Sequence, residues 1–209
     1  MNDVKEIIWD FDGVILLSDE VREYGFRKIF EDHNPEKVEK LIEYHLANGG
    51  LSRYAKIRYY YENVLNSEIT EKEIDAYANN FSVIMRNALI NKDLINPEWI
   101  ELMGKIGNKY VHSIASGSDG KELNYLCNEL QLSHYFKSIL GSPVVKNELV
   151  KNIIADSTYS TSQIILIGDA VNDKEAAEIN NIGFIGYRSR ALQDCSFFTN
   201  DLTTLTNIL

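Results

Sequence analysis

Apolar positions along this chain change their spacing twice. The first stretch, from about Lys5 to Asp10, carries the unbroken apolar run Ile7-Ile8-Trp9, the texture of a parallel strand buried on both faces. From Asp19 to about Asn91 apolar residues recur at helical spacing: Val21, Tyr24, Gly25 and Ile29, then Val38, Leu41, Ile42 and His45. Tyr54, Ile57, Arg58 and Tyr61 continue the series, followed by Ile74, Tyr77, Ala78, Phe81 and Met85, and such spacing predicts a block of amphipathic helices. Asn34-Pro35, Asn48-Gly49-Gly50 and Asn66-Ser67 punctuate it, and Thr70-Glu71-Lys72-Glu73 has the form of a capping box opening the last helix. Beyond Asn96-Pro97 short apolar strands alternate with helices. The strands are expected at Tyr110–Ala115, Phe136–Leu140, Gln163–Ile167 and Gly183–Gly186, with an edge strand at Asp194–Phe198 and a closing helix after Asp201.

Strands alternating with helices imply right-handed βαβ crossovers. The expected fold class is α/β: a doubly wound parallel sheet, Rossmann-like, carrying an inserted all-helical domain. Residues 1–16 and 92–209 would form the α/β core and residues 17–91 the insertion.

Open sheets of this kind bind ligands beyond the carboxyl ends of their strands. Those ends carry the chain's most concentrated polar chemistry. The first strand runs into Asp10-Phe11-Asp12-Gly13, the second into Ser116-Gly117-Ser118 and the third into Gly141-Ser142-Pro143 with Lys146 beyond. The fourth runs into Gly168-Asp169, with Asp173 four residues on. In extended backbone residues i and i+2 share a face, so Asp10 and Asp12 crowd one volume, at a cost that a cation or a proton must relieve. A plain polar turn, with Gly13 supplying a positive φ, is the alternative reading of that stretch taken alone. Together the four strand ends fit phosphoryl transfer. Magnesium takes hard oxygen ligands, and Asp10 and Asp169 offer carboxylates for it. Lys146 and Ser116 would neutralise and hold a phosphoryl group. One carboxylate of the first strand would attack and the other would carry a proton.

These motifs resemble the haloacid dehalogenase-like superfamily, in its helical-cap branch of phosphatases and phosphomutases, similar to phosphoglycolate phosphatase and beta-phosphoglucomutase. The resemblance rests on Asp10-Phe11-Asp12-Gly13-Val14, Ser116 after an apolar strand, Lys146, and Gly168-Asp169-x-x-x-Asp173, in that order along nearly the whole chain. It implies Asp10 as nucleophile and metal ligand, and Asp12 as general acid/base with its backbone carbonyl on the metal. It further implies Ser116, Gly117 and Lys146 as phosphate-binding groups, Asp169 as a second carboxylate ligand of Mg2+, and Asp173 as a residue orienting the metal's waters or Lys146. Gly50-Leu51-Ser52-Arg53 matches a cap loop that reaches the substrate, which would make Arg53 a substrate contact; a solvated arginine at a helix start is the competing reading. Two positions depart from the pattern. Leu17 stands before Ser18 where relatives carry an acidic residue, and Asn147 follows Lys146 where many have proline, which leaves Lys151 as an alternative phosphate lysine.

Composition narrows the partners. A net charge of −10 argues against a nucleic-acid backbone while allowing a small phosphorylated metabolite. No apolar run approaches a membrane span, and the start Met1-Asn2-Asp3-Val4-Lys5-Glu6 does not read as a secretory signal. Cys127 and Cys195 have no CxxC or ligand spacing and read as reduced thiols. The expected setting is therefore cytoplasmic, as a monomer or weak dimer without membrane partners. His33, His45, His112 and His134 show no ligand spacing and read as surface or partly buried packing residues; His45 alone lies near the loop at Gly50. Three functions fit: a phosphatase, a mutase that returns the phosphoryl group to a sugar, and a non-catalytic phospho-acceptor or partner-binding module. The last has no use for Asp12 or for the helical insertion.

Overall fold

The structure, a computed structural model, describes residues 3–209. Its centre is β1 (Glu6–Trp9), four residues that are all buried, as a strand covered on both faces must be. The pleat sends Ile7 and Trp9 into one core layer and Ile8 into the other. Trp9 packs edge-on against Trp99 at 6.3 Å and donates to His112 Nδ1 at 3.0 Å, so His112 is a buried core histidine rather than a surface one.

β1 is followed by α1 (Asp19–Ile29), α2 (Pro35–Ala47), α3 (Arg53–Tyr59), a π-helical turn at Tyr60–Leu65, and α4 (Glu71–Ala88). The capping box at Thr70 and Glu73 forms as the spacing predicts. Then come α5 (Pro97–Ile106), β2 (Val111–Asp119), α6 (Gly120–Glu129), β3 (Ser138–Ser142), α7 (Lys146–Ala155), β4 (Ile164–Gly168), α8 (Val171–Ile179), β5 (Gly183–Tyr187) and β6 (Phe198–Thr199). All six strands are parallel, in the order β3-β2-β1-β4-β5-β6. The expected edge strand shrinks to the two residues of β6, and the closing helix is a 3-10 turn at Leu202–Asn207.

The two linkers of the β1–β2 connection run beside each other, and together they position the helical segment. Leu17 N–H donates to Leu94 at 2.8 Å and Asn96 N–H to Ile15 at 2.9 Å. The Asn96 side chain also donates to the Val14 carbonyl at 2.9 Å. The chain thus enters and exits α1–α4 through one short antiparallel pairing, Leu16 against Ile95. One apolar layer runs from Ile7 and Trp9 through this pairing to Phe26, Phe30 and Phe81 among the helices.

Candidate active site

Register decides which residues meet at the strand ends. Trp9 lies beside Ile114 of β2 and Ile167 of β4, and Asp10 N–H continues the ladder to Ile167 at 2.9 Å. Asp10, one residue beyond this register, and Ser116 and Asp169, two residues beyond it, therefore all reach one edge. Gly13 then turns the chain at φ +78, which glycine adopts without strain. A Cβ there would fall 2.1 Å from Asp169 Oδ2, so the bare glycine also makes room for that carboxylate.

Carboxylate oxygens of Asp10, Asp169 and Asp173 lie within 4.8 Å of one another. Lys146, at the first position of α7, places Nζ 2.8 Å from Asp10 Oδ1 and also bonds Asp173. Asp173 accepts Ala170 N–H at 3.0 Å with its other oxygen, which fixes it at the start of α8. Burial pushes the Asp10 carboxyl up to about 7, with the Asp173 charge adding and Lys146 opposing. Burial, then the charges of Asp10 and Asp173, also drives Asp169 well above the usual carboxylate range. Lys151 stands apart on the surface, paired with Glu148 at 3.2 Å. Of the two lysines left open by the sequence, Lys146 is the one that meets the acids.

Asp12 sits in a different environment. Ser18 Oγ and Arg22 Nε donate to its Oδ1 at 2.5 and 2.9 Å, and Ser118 Oγ donates to Oδ2 at 2.5 Å. Burial pushes this carboxyl up, but Arg22 and the two hydroxyls outweigh it and hold it down at about 2. Ser18, which follows the unexpected Leu17, therefore binds an acid of the site. From Asp12 a line of buried charges crosses to the helical segment. Arg22 Nη1 donates to Glu122 Oε1 at 2.6 Å, and Arg53 grips Glu122 with both Nη atoms at 2.8 and 2.7 Å. Burial opposes ionisation of Glu122, yet the two guanidinium groups keep its carboxyl below the ordinary range.

The loop before α3 is pressed against the sheet edge. A Cβ on Gly117 would lie 2.2 Å from the Gly50 carbonyl oxygen, and one on Gly50 would lie 2.1 Å from the Asn172 side chain. Between loop and strand ends remains a cavity of about 50 Å³, lined by Asp10, Asp12, Asp169, Ser116, Gly117 and Ser118 below and by Arg22, Arg53, Lys56 and His45 above. Ser116 Oγ is turned to accept Ser118 N–H at 3.1 Å. Every expected site residue thus lies in or against one volume, with Arg53 spent on Glu122 instead of free. Sequence reading placed Ser118 at the strand end without assigning it a role, and missed Arg22, Lys56 and Glu122 as site residues. The only available signal was each cation's place one position off an apolar stripe, with Phe26 or Ile57 adjacent to the turn.

The sequence pattern of the haloacid dehalogenase-like hydrolases matches residues 7–187. No curated protein matches the chain by sequence. Among solved structures it is similar to a predicted phosphatase from Clostridium acetobutylicum, at a TM-score of 0.79 and 16% identity, covering 98% of this chain and 97% of that one. It is likewise similar to beta-phosphoglucomutase from Clostridium difficile, at 0.78 and 19%, covering 97% and 93%. A predicted phosphoglycolate phosphatase from Haemophilus somnus superposes at 0.76 and 17%, covering 100% and 99%. At these identities the superpositions establish a shared fold.

Proposed function

This chain belongs to the haloacid dehalogenase-like hydrolase family, and on that premise we propose that it is a magnesium-dependent phosphatase of small phosphomonoesters, working through an aspartyl-phosphate. The observation that carries the reading is the separation of two acids with opposite environments at one strand end. Asp10 lies among carboxylates beside Lys146, while Asp12 lies among donors.

The donor set suits a hard divalent cation. It is all oxygen and partly buried, and burial together with neighbouring carboxylates raises the pKa of Asp10 and Asp169. Asp173 is already engaged by Lys146 and Ala170 N–H, so Asp10 and Asp169 would hold the ion, with the Asp12 backbone carbonyl. When bound, Mg2+ would supply positive charge that lets an anionic nucleophile approach a phosphate dianion. Asp10 attacks phosphorus, forming the acyl phosphate and releasing the substrate oxygen. Lys146 balances the charge that gathers on the phosphoryl oxygens, while the Ser116 hydroxyl and the Gly117 backbone hold them. Asp12, held ionised here by Arg22 and the Ser18 and Ser118 hydroxyls, is set as a base that takes a proton from the water cleaving the acyl phosphate. To pass that proton to the leaving oxygen of the next substrate it must be drawn off Arg22, which belongs to the helical segment. Residues 17–91 act as a cap that docks for chemistry and lifts for exchange, hinged at Leu16–Ser18 and Asn91–Asn96.

A mutase would need a free second anion site at Arg53. There the Glu122 carboxylate occupies both guanidinium nitrogens, which favours hydrolysis. Phosphate release should be measured over a panel of sugar phosphates, phosphoglycolate and nucleotides with magnesium. We expect steady turnover that stops on chelation and in Asp10→Asn. A phosphoprotein that persists without turnover, or activation of sugar phosphate isomerisation by a sugar 1,6-bisphosphate, would overturn the reading.

A further inference from the structure

Four cationic side chains are buried around the cavity: Arg22, Arg53, Lys56 and Lys146. Three face carboxylates at ion-pair distance. Arg22 meets Asp12 and Glu122, Arg53 meets Glu122, and Lys146 meets Asp10 and Asp173. Lys56 is the exception. It is 2% exposed, lines the cavity, and has no carboxylate within 4.0 Å among the described residues. Its partners are neutral acceptors, His45 Nδ1 at 2.8 Å and the Gly49 carbonyl at 3.2 Å. They use two of the three hydrogens of an ammonium.

His45 reinforces the assignment. With Nδ1 accepting from Lys56, its proton sits on Nε2, which is buried and has no partner. His45 is itself buried and on the cavity wall. A buried cation and a buried N–H are thus both left incompletely satisfied on the wall that faces Asp10 and Asp12. Burying a charge without a counter-ion is among the costliest arrangements a protein can carry. The groups around Lys56 do not remove the cost. Burial pulls its ammonium down to about 7; the more distant carboxylates of Asp12, Asp19 and Asp10 act against that pull and Arg22 adds to it. Burial and Lys56 in turn hold His45 neutral, down to about 3.

We propose that Lys56, oriented by His45, is the specificity-determining residue of the site, and that it binds a carboxylate carried on the leaving group of the substrate. This rests on the phosphatase reading above and narrows its substrates to short phosphorylated hydroxy acids. A carboxylate supplies the counter-ion that this chain withholds, whereas a hydroxyl would leave the charge unpaired. Lys56 lines the same small cavity as Asp10, Asp12 and Ser116, so a carboxylate on Lys56 and a phosphoryl group at the strand ends must be joined by a short chain.

The test compares two esters of equal length, 2-phosphoglycolate and 2-hydroxyethyl phosphate, with wild type and Lys56→Met. Methionine keeps the length and apolar stem, and replacing a buried charge by an apolar isostere is commonly tolerated. Wild type should prefer the carboxylate by at least about tenfold in kcat/KM, the range of a charged hydrogen bond. In Lys56→Met that ratio should fall to near one, through KM for 2-phosphoglycolate. A packing role for Lys56 would change both esters alike and leave the ratio standing. If wild type turns over p-nitrophenyl phosphate but treats the two esters within twofold, the inference is overturned and the phosphatase reading survives. If no ester is hydrolysed, calorimetric binding to Asp10→Asn with magnesium decides. Tighter binding of 2-phosphoglycolate, lost when Lys56→Met is added, upholds Lys56 as the carboxylate reader; equal binding of both esters overturns it.

Discussion

At the scale of single residues the site keeps two carboxyls of one strand end in opposite states. Asp10 is lifted to about 7 and Asp12 is lowered to about 2, although they are two residues apart. Burial raises both; the Asp173 carboxylate adds to it at Asp10, whereas Arg22 and two hydroxyls outweigh it at Asp12. The lift at Asp10 has a consequence for metal binding. An acid whose folded pKa exceeds its unfolded value binds a proton more readily when folded, so its ionisation costs stability as pH rises from about 4 to about 7. Metal binding needs Asp10 and Asp169 ionised. Magnesium should therefore raise the melting temperature more at pH 8 than at pH 5.5. The gain should approach that of about 2.7 kcal/mol at a hundredfold excess over Kd. Thermal unfolding with and without magnesium at the two pH values checks this. An increment independent of pH would mean that other groups hold the ion.

At the scale of elements, apolar periodicity located the helices and misplaced two of their faces. Helices α2 and α4 bury what their spacing predicts: Val38, Leu41, Ile42 and His45 in one, Ile74, Ala78, Phe81 and Met85 in the other. The buried face of α1 is Arg22, Gly25 and Phe26, while the expected Tyr24 is exposed. That of α3 is Arg53, Lys56 and Ile57 in place of Tyr54 and Arg58. Both faces are turned because a cation sits where a hydropathy stripe should be, and hydropathy cannot distinguish a buried, paired arginine from a solvated one. The acids at the strand ends were legible because spacing and order alone carried them. Lys146 was legible with them, but Arg22 was not, nor was the pairing of Arg22 and Arg53 with Glu122, since Arg22 reaches Glu122 across 100 residues and Arg53 reaches it across 69. Removing Arg22 should be costly for the same reason. Arg22→Gln leaves Asp12 without its cation and Glu122 with one guanidinium, and breaking such buried pairs costs about 3 kcal/mol. The share from Asp12 is present above its unfolded pKa near 3.8 and is lost as pH falls through about 2. Urea midpoints of wild type and variant should thus differ by a constant amount between pH 7 and 5, and converge below pH 4. A gap that grows in acid would assign the loss to another group.

At the scale of the whole molecule, the helical segment and the sheet edge touch through a contact that admits no side chain. The Gly50 carbonyl faces Gly117, and a Cβ at residue 117 would approach it to 2.2 Å. The backbone of Gly117 is not in the left-handed region, so alanine fits its own conformation and the obstacle is the opposing loop alone. Gly117→Ala is therefore a probe of docking rather than of folding. Pushing the Gly49–Ser52 loop away would also draw Arg53 off Glu122, since Arg53 begins the helix that the loop feeds. Glu122 would then keep only Arg22, and the wall bearing Lys56 would retreat from Asp10 and Asp12. Three observables follow from one methyl group: faster hydrogen exchange over residues 49–56, a larger radius of gyration in solution scattering, and kcat/KM lowered by about tenfold or more, the scale of a lost charged contact. The melting temperature should move little. If exchange over that loop and turnover both match wild type, the loop accommodates the methyl in place, and docking of the helical segment does not control the chemistry at the strand ends.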